Sequence, residues 1–393
     1  MFETLKMAPP DAILGLAEAF RNDSNPDKIN LSVGVYKNQQ GITPILDCVK
    51  AAEKKLLAEE TQKSYLSIDG SPQYAQLVKQ LLFEGTIDEA RLATVQAPGG
   101  TGALRVAAEF LSKRLDRKRI WCSQPTWGNH VNIFQAAGLE VDWYPYLDEA
   151  QRGLDFDALQ GTMSKIPTGD IVCLHACCHN PSGVDPSLEQ WQQIAEMVGQ
   201  QGLLVLLDFA YQGFGNGLRE DAACLPPLLE SGCDLLICNS FSKNFGLYSE
   251  RVGALTMVAS SGDAASAALS HAKSTVRANY SNPPKHGAAI VTTILDDEQL
   301  TAQWQQELAD MRNRISDMRQ RFSQIMTDKN APHDFSSITE QCGMFSFSGL
   351  SKLQVDRLRN EYSIYIVGNG RINVAGITEN NIERLCDAIL EVL

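Results

Sequence analysis

Through the middle of this chain, short apolar runs alternate with amphipathic stretches. Strand-like runs stand at 119–122, 140–144, 171–175, 203–208, 234–239 and 252–258. Helical periodicity fills 101–115, 155–165 and 188–200, and Ser187 with Gln190 makes a capping box for the last of these. Strands alternating with helices predict a largely parallel sheet covered on both faces, hence an α/β fold. The ends read differently. Ile29, Leu31, Val33 and Val35 alternate with polar or small residues, as a half-buried strand does. A long helical pattern from Gln299 to about Lys329 leads into a strand at 344–347, a helix at 353–361, a strand at 364–367 and a helix at 379–392. These ends predict a smaller α/β unit built from both termini.

Composition narrows the class. At 393 residues the chain suits two to three domain-sized units, and 44% hydrophobic content supports a large core. A net charge of −13 argues against nucleic acid, which demands surplus Lys and Arg. It leaves acidic substrates open, because a few buried arginines set the field of a pocket. No signal peptide or membrane-length apolar run is visible, and ten Cys without a signal read as reduced, cytoplasmic thiols. Cys173, His175, Cys177, Cys178 and His179 cluster in sequence, but no second ligand pair follows at finger spacing, so no metal is expected.

The chemistry stands where strands end, which in an open α/β sheet is where ligands bind. Asp208 closes the apolar run 203–208 and is costly to keep charged there unless a cation meets it. Ser240, Lys243 and Arg251 follow the run 234–239, and Asn180 sits in a Pro-containing turn after 171–175. Gly99, Gly100 and Gly102, around Thr101, open a helix whose free N–H groups and positive end suit a phosphate. A phosphate cradle, a Lys, a buried acid and amide or phenol donors form a combination that pyridoxal phosphate uses in full. In that setting Lys243 forms the Schiff base and shuttles the Cα proton, and Asp208 faces the pyridine nitrogen. Asn180 and Tyr211 donate to the phenolic oxygen, while Arg251 grips phosphate.

The stretches H-N-P-S-G, D-F-A-Y-Q-G-F, S-F-S-K-N-F-G-L-Y-S-E-R-V-G, R-A-N-Y-S-N-P-P and G-R-I-N-V-A-G resemble the aspartate and aromatic branch of the class I aminotransferases, from about Phe2 to Leu393. The resemblance implies a fold-type I transferase with a seven-stranded, mostly parallel sheet in a large domain at 44–310. A small domain at 11–43 and 311–393 and an N-terminal arm at 1–10 complete it. It implies that Gly100, Thr101, Ser240 and Arg251 hold the phosphate and that Trp127 stacks on the ring. Tyr65 reaches the phosphate from the neighbouring subunit, so the expected assembly is a homodimer with shared sites. Arg371 and Gly34, with Asn180 and Trp127, hold the substrate α-carboxylate end, and Arg277 of the partner chain holds the side-chain carboxylate. His130 and His175 orient the site.

Ser182 stands where Thr is usual, Ala176 where Gly is common, and Ser64 where aspartate-type members often carry Asn. Val35, Lys37, Thr43, Thr101 and Asn282 resemble the aspartate-type rather than the aromatic-type members, which implies aspartate as the substrate. The expected reaction is therefore ping-pong transfer of the amino group of aspartate or glutamate to a 2-oxo acid, with aromatic transamination as the alternative. A serine–lysine acyl hydrolase would fit Ser240 to Lys243, but its other motifs are missing. A dehydrogenase would need G-x-G-x-x-G, which the glycines at 99–102 do not spell.

Overall fold

The computed structural model describes residues 2–7, 14–148 and 153–393. Parts of the expected arm and of the first small-domain segment, residues 1 and 8–13, lie outside the described residues. At the centre is a seven-stranded sheet: β1 (Leu92–Pro98), β2 (Arg119–Gln124), β3 (Glu140–Pro145), β4 (Ile171–His175), β5 (Leu204–Phe209), β6 (Leu235–Ser240) and β7 (Val252–Val258). Their order across the sheet is β1-β7-β6-β5-β4-β2-β3. Only β7 runs against its neighbours; the other pairs are parallel. Strand β5 shows why the apolar runs lack alternation. Val205 and Leu207 enter one core and Leu204 and Leu206 the other, so both faces are buried.

The expected elements of this region appear with ends shifted by a residue or two, and Ser187–Gln190 forms the capping box. Strand β1 is a correction: its residues read only as the approach to a glycine-rich turn. Thr94 and Gln96 break its apolar run, yet both are buried. Thr94 Oγ1 lies 3.0 Å from Thr256 Oγ1, and Gln96 donates to the Pro284 carbonyl at 2.7 Å. Paired polar groups are tolerated in a core, and a hydropathy pattern does not reveal the pairing.

Two small sheets join the ends of the chain. Ile29–Asn30 pairs in parallel with Ile364–Tyr365, and Phe345–Phe347 pairs antiparallel with Arg371–Asn373. The strand expected over 29–35 therefore stops at Asn30. Asn373 Nδ2 donates to the Val33 and Val35 carbonyls at 2.7 and 2.8 Å, and Asn30 Oδ1 accepts from the Ser32 N–H. Side chains satisfy this backbone in place of a ladder. The last helix is Ile382–Val392 rather than 379–392, because Thr378 N–H donates to Asn381 Oδ1 in a turn ahead of it. The long helix runs Glu298–Asp328, capped by Asp297. Among the described residues, no helix is long and apolar enough to cross a membrane.

Candidate active site

The carboxyl ends of β4, β5 and β6 and the start of β7 open onto one cavity of about 210 Å³. Gly100, Thr101, Trp127, Asn180, Asp208, Tyr211, Ser240, Lys243 and Arg251 all line it. Because β7 is reversed, Arg251 precedes it at the same edge where Ser240 ends β6.

The helix Gly99–Arg114 points its start into this space without a side-chain cap. Gly99 has φ +73, and a Cβ there would fall 2.3 Å from Arg251 Nη2; one on Gly100 would fall 3.1 Å from the Ser240 Cβ. The glycines thus let Arg251 and Ser240 lie against the helix N-terminus. Arg251 Nη1 donates to Ser242 Oγ at 3.1 Å and to the Tyr248 carbonyl at 3.0 Å. Unpaired N–H groups, the helix dipole and a held guanidinium make a cradle for a phosphate-sized anion.

Asp208 stands deeper, 7% exposed, with Oδ2 2.9 Å from His130 Nε2 and Oδ1 unpartnered. Burial alone would raise its carboxyl. The hydrogen bond and charge of His130, with the charge of Lys243, outweigh burial and hold it below the usual carboxylate range. Thr126 Oγ1 bridges His130 Nδ1 and His175 Nε2 at 2.9 and 3.1 Å. Burial pulls His175 down to about 3, so it is a neutral support for the network. Burial also pulls Lys243 down to about 8, Arg251 adds to that, and Asp208 opposes it. Its Nζ lies 4.7 Å from the centroid of the Tyr211 ring. A lysine so poised is a ready nucleophile near neutral pH.

Asn180 Nδ2 donates to Tyr211 Oη at 3.4 Å, and its Oδ1 accepts from Arg371 Nη1 at 3.3 Å. Arg371 is 4% exposed, donates from Nη2 to the Ser32 carbonyl at 2.6 Å, and leaves Nε without a partner. Its guanidinium sits 4.3 Å over the Phe345 ring, and no carboxylate among the described residues pairs with it. A buried guanidinium without an anion is a site for one. Gly34 packs on the same ring: a Cβ there would fall 2.8 Å from Phe345 Cζ.

Two expected residues stand apart. Tyr65 is 92% exposed, and Arg277 is exposed on the last turn of Gly262–Asn279, bonded to Ser281 Oγ of its own chain. Neither lines the cavity. Ser242 and Tyr248 do line it and were not singled out for the site; Tyr248 Oη accepts from the Tyr36 N–H at 2.8 Å. Their signal was present, since both lie in the run carrying Lys243 and Arg251. Thr126 beside Trp127 carried none. The Cys/His cluster splits: Cys173 enters the core opposite Cys177 and Cys178, and His179 is held by Ser123 and Ser182.

Comparison with known proteins agrees with this geometry. The sequence model of aminotransferase class I and II matches residues 26–389. Aspartate aminotransferase of Salmonella typhi is 54% identical over 396 residues, and that of Escherichia coli strain K12 is 52% identical; each comparison covers 100% of both chains. The crystal structure of an aromatic-amino-acid aminotransferase from Burkholderia pseudomallei, covalently bound to pyridoxal phosphate, superposes with a TM-score of 0.97 at 44% identity, covering 100% of this chain and 99% of that one. With its seven-stranded α/β sheet and its match along nearly the whole sequence, the chain belongs to the class I and II aminotransferases.

Proposed function

We propose that this aminotransferase moves the amino group of L-aspartate, and of glutamate, to a 2-oxo acid such as 2-oxoglutarate, with pyridoxal phosphate held at Lys243. The observation that carries the reading is one cavity uniting an uncapped helix start with Arg251, a lysine at about 8, and a buried aspartate with a free oxygen. These residues fit the cofactor. The orphaned Asp208 Oδ1 suits a protonated ring nitrogen, and the glycine-lined cradle suits a phosphate. Bound there, pyridoxal phosphate supplies the electron-withdrawing ring that acidifies the substrate Cα–H and carries the amino group between half-reactions.

The protein's part follows from its side chains. Gly100, Thr101, Ser240 and Arg251 would hold the phosphate, with Trp127 against the ring. Asn180 and Tyr211 would donate to the phenolic oxygen, and burial keeps the Tyr211 phenol protonated for that task. Lys243 would attach the cofactor and, once released by substrate, move the Cα proton. Arg371 would pair with the α-carboxylate against Gly34. On the same reading the protein is a cytoplasmic homodimer, with a large domain at 44–310 and a small one at 11–43 and 311–393. The outward Tyr65 and Arg277 would then serve the partner's phosphate and the second carboxylate. Measuring kcat/KM for aspartate and for phenylalanine with 2-oxoglutarate tests the substrate claim. Aspartate should be preferred; a preference for phenylalanine would assign the aromatic activity instead.

A further inference from the structure

Away from this cavity, one junction gathers two thiols and a carboxylate that the reaction does not use. Cys178 follows β4, two residues before Asn180, with a left-handed backbone at φ 52. Asp185 accepts from the Cys178 and His179 N–H groups at 2.5 and 2.8 Å. Facing them, Cys342 donates its N–H to the Gly183 carbonyl at 2.7 Å, and its Sγ lies 3.0 Å from Asp185 Oδ2. Gly343 permits the approach: its φ is +76, and a Cβ there would fall 2.9 Å from Cys178 Sγ. Both sulfurs and a carboxylate oxygen of Asp185 lie within 4.8 Å of one another.

An independent feature marks the same place. Asp185, Gln341 and Cys342 line a cavity of about 320 Å³. Gln341 is 5% exposed, and neither its amide oxygen nor its nitrogen has a hydrogen-bond partner. A buried amide unpaired at both ends is costly unless something binds it.

We propose that Cys178, Cys342 and Asp185 form a zinc site, completed by the Gln341 amide oxygen directly or through a water. Two thiolates, a carboxylate and one neutral oxygen make a tetrahedral set that suits this borderline-soft cation. Charge agrees. With both thiols ionised, the cluster carries three negative charges against the one positive charge of Arg319, and a divalent cation closes the balance. Arg319 does not compete for the carboxylate, since its N–H groups go to the Gly343 and Phe345 carbonyls at 2.7 and 2.8 Å. Each Zn–S bond forms as a thiol proton is lost to solvent, so uptake releases two protons. A rival trio, Cys177, Cys178 and Asp221, is less open: its carboxylate accepts the Gly213, Gly215 and Asn216 N–H groups where Asp185 accepts two, and Asp185, unlike Asp221, lines the cavity. The ion would tie the turn carrying Asn180 to the segment leading into Phe345–Phe347, clamping two walls of the active site.

The test uses holoenzyme equilibrated with micromolar zinc chloride and then dialysed against metal-free buffer. Wild type should retain one zinc per chain by elemental mass spectrometry, with two sulfur neighbours at about 2.3 Å in X-ray absorption. Cys342→Ser, in a partly exposed segment, should fold with normal cofactor absorbance and lose the metal, while Cys177→Ser should keep it. Zinc retained by Cys342→Ser, or lost from Cys177→Ser, would overturn the assignment. So would a metal-free wild type, and the loss of two hydrogens from its intact mass would mark the pair as a disulfide instead.

Discussion

Replacing Asp208 with Asn isolates one charge while keeping shape. The side chain is 7% exposed, its Oδ2 is committed to His130 at 2.9 Å, and its Oδ1 is free to meet the cofactor. An amide fills the same space and accepts from His130, so packing is retained. At ~4 Å separation and an effective dielectric near 20, the lost ion pair amounts to about 4 kcal/mol. That corresponds to roughly three pKa units in the proton held opposite Asp208, and to a ~10³-fold slower Cα-proton step. The assay is single-turnover reaction of holoenzyme with aspartate, followed by cofactor absorbance, alongside α-deuterated aspartate. The variant should keep its cofactor, slow by about 10³-fold, and show an enlarged isotope effect as proton abstraction becomes limiting. Turnover of a fully loaded variant within about tenfold of wild type would refute the electrostatic role.

Because burial and Arg251 hold Lys243 at about 8 against the pull of Asp208, covalent attachment of cofactor to apoenzyme should quicken with pH and level off above that value. Below it the rate should fall about tenfold per pH unit, and the midpoint should drop in Asp208→Asn, as stopped-flow absorbance will read. Gly99→Ala should cost about 1–2 kcal/mol of backbone strain at φ +73 and displace the Arg251 guanidinium, lowering Tm and weakening phosphate binding in calorimetry. Arg277→Asp should lower kcat/KM for aspartate by roughly 10³-fold or more, because a charge-assisted pair becomes carboxylate–carboxylate repulsion, and spare aromatic substrates. Mixing it with Lys243→Ala should restore activity if Arg277 acts across a dimer.

The strand ends that build the site were readable because each marks an abrupt change from buried apolar residues to Asp, Ser, Lys or Asn. Asp208 after Leu203–Leu207 is the plainest case. Strand β1 was hidden by Thr94 and Gln96, whose partners lie 162 and 188 residues away, beyond the reach of any local pattern. The overlong strand at 29–35 failed for the same reason, since Asn373 holds its carbonyls from the far end of the chain. Thr126 joins two histidines through contacts 4 and 49 residues off, and nothing in its neighbourhood announces the bridge. Tyr65 and Arg277 were legible only through resemblance, since in one chain both face outward.

The reversed strand β7 has a consequence for how this protein can change. Gly253, second in β7, pairs with Ser240, and a Cβ on it would fall 2.6 Å from both the Asn239 oxygen and the Gly99 carbonyl carbon. The anion cradle and the seam of the sheet are therefore one contact. A mutation that moved the cradle would also part β6 from β7, so inheritance of the fold carries the cofactor grip with it. Heritable novelty has room instead around Arg277, exposed on the last turn of its helix and outside this contact. Libraries aimed at new substrates should spare 99–101 and 251–253, keep Gly34 beneath Phe345, and vary the residues around Arg277.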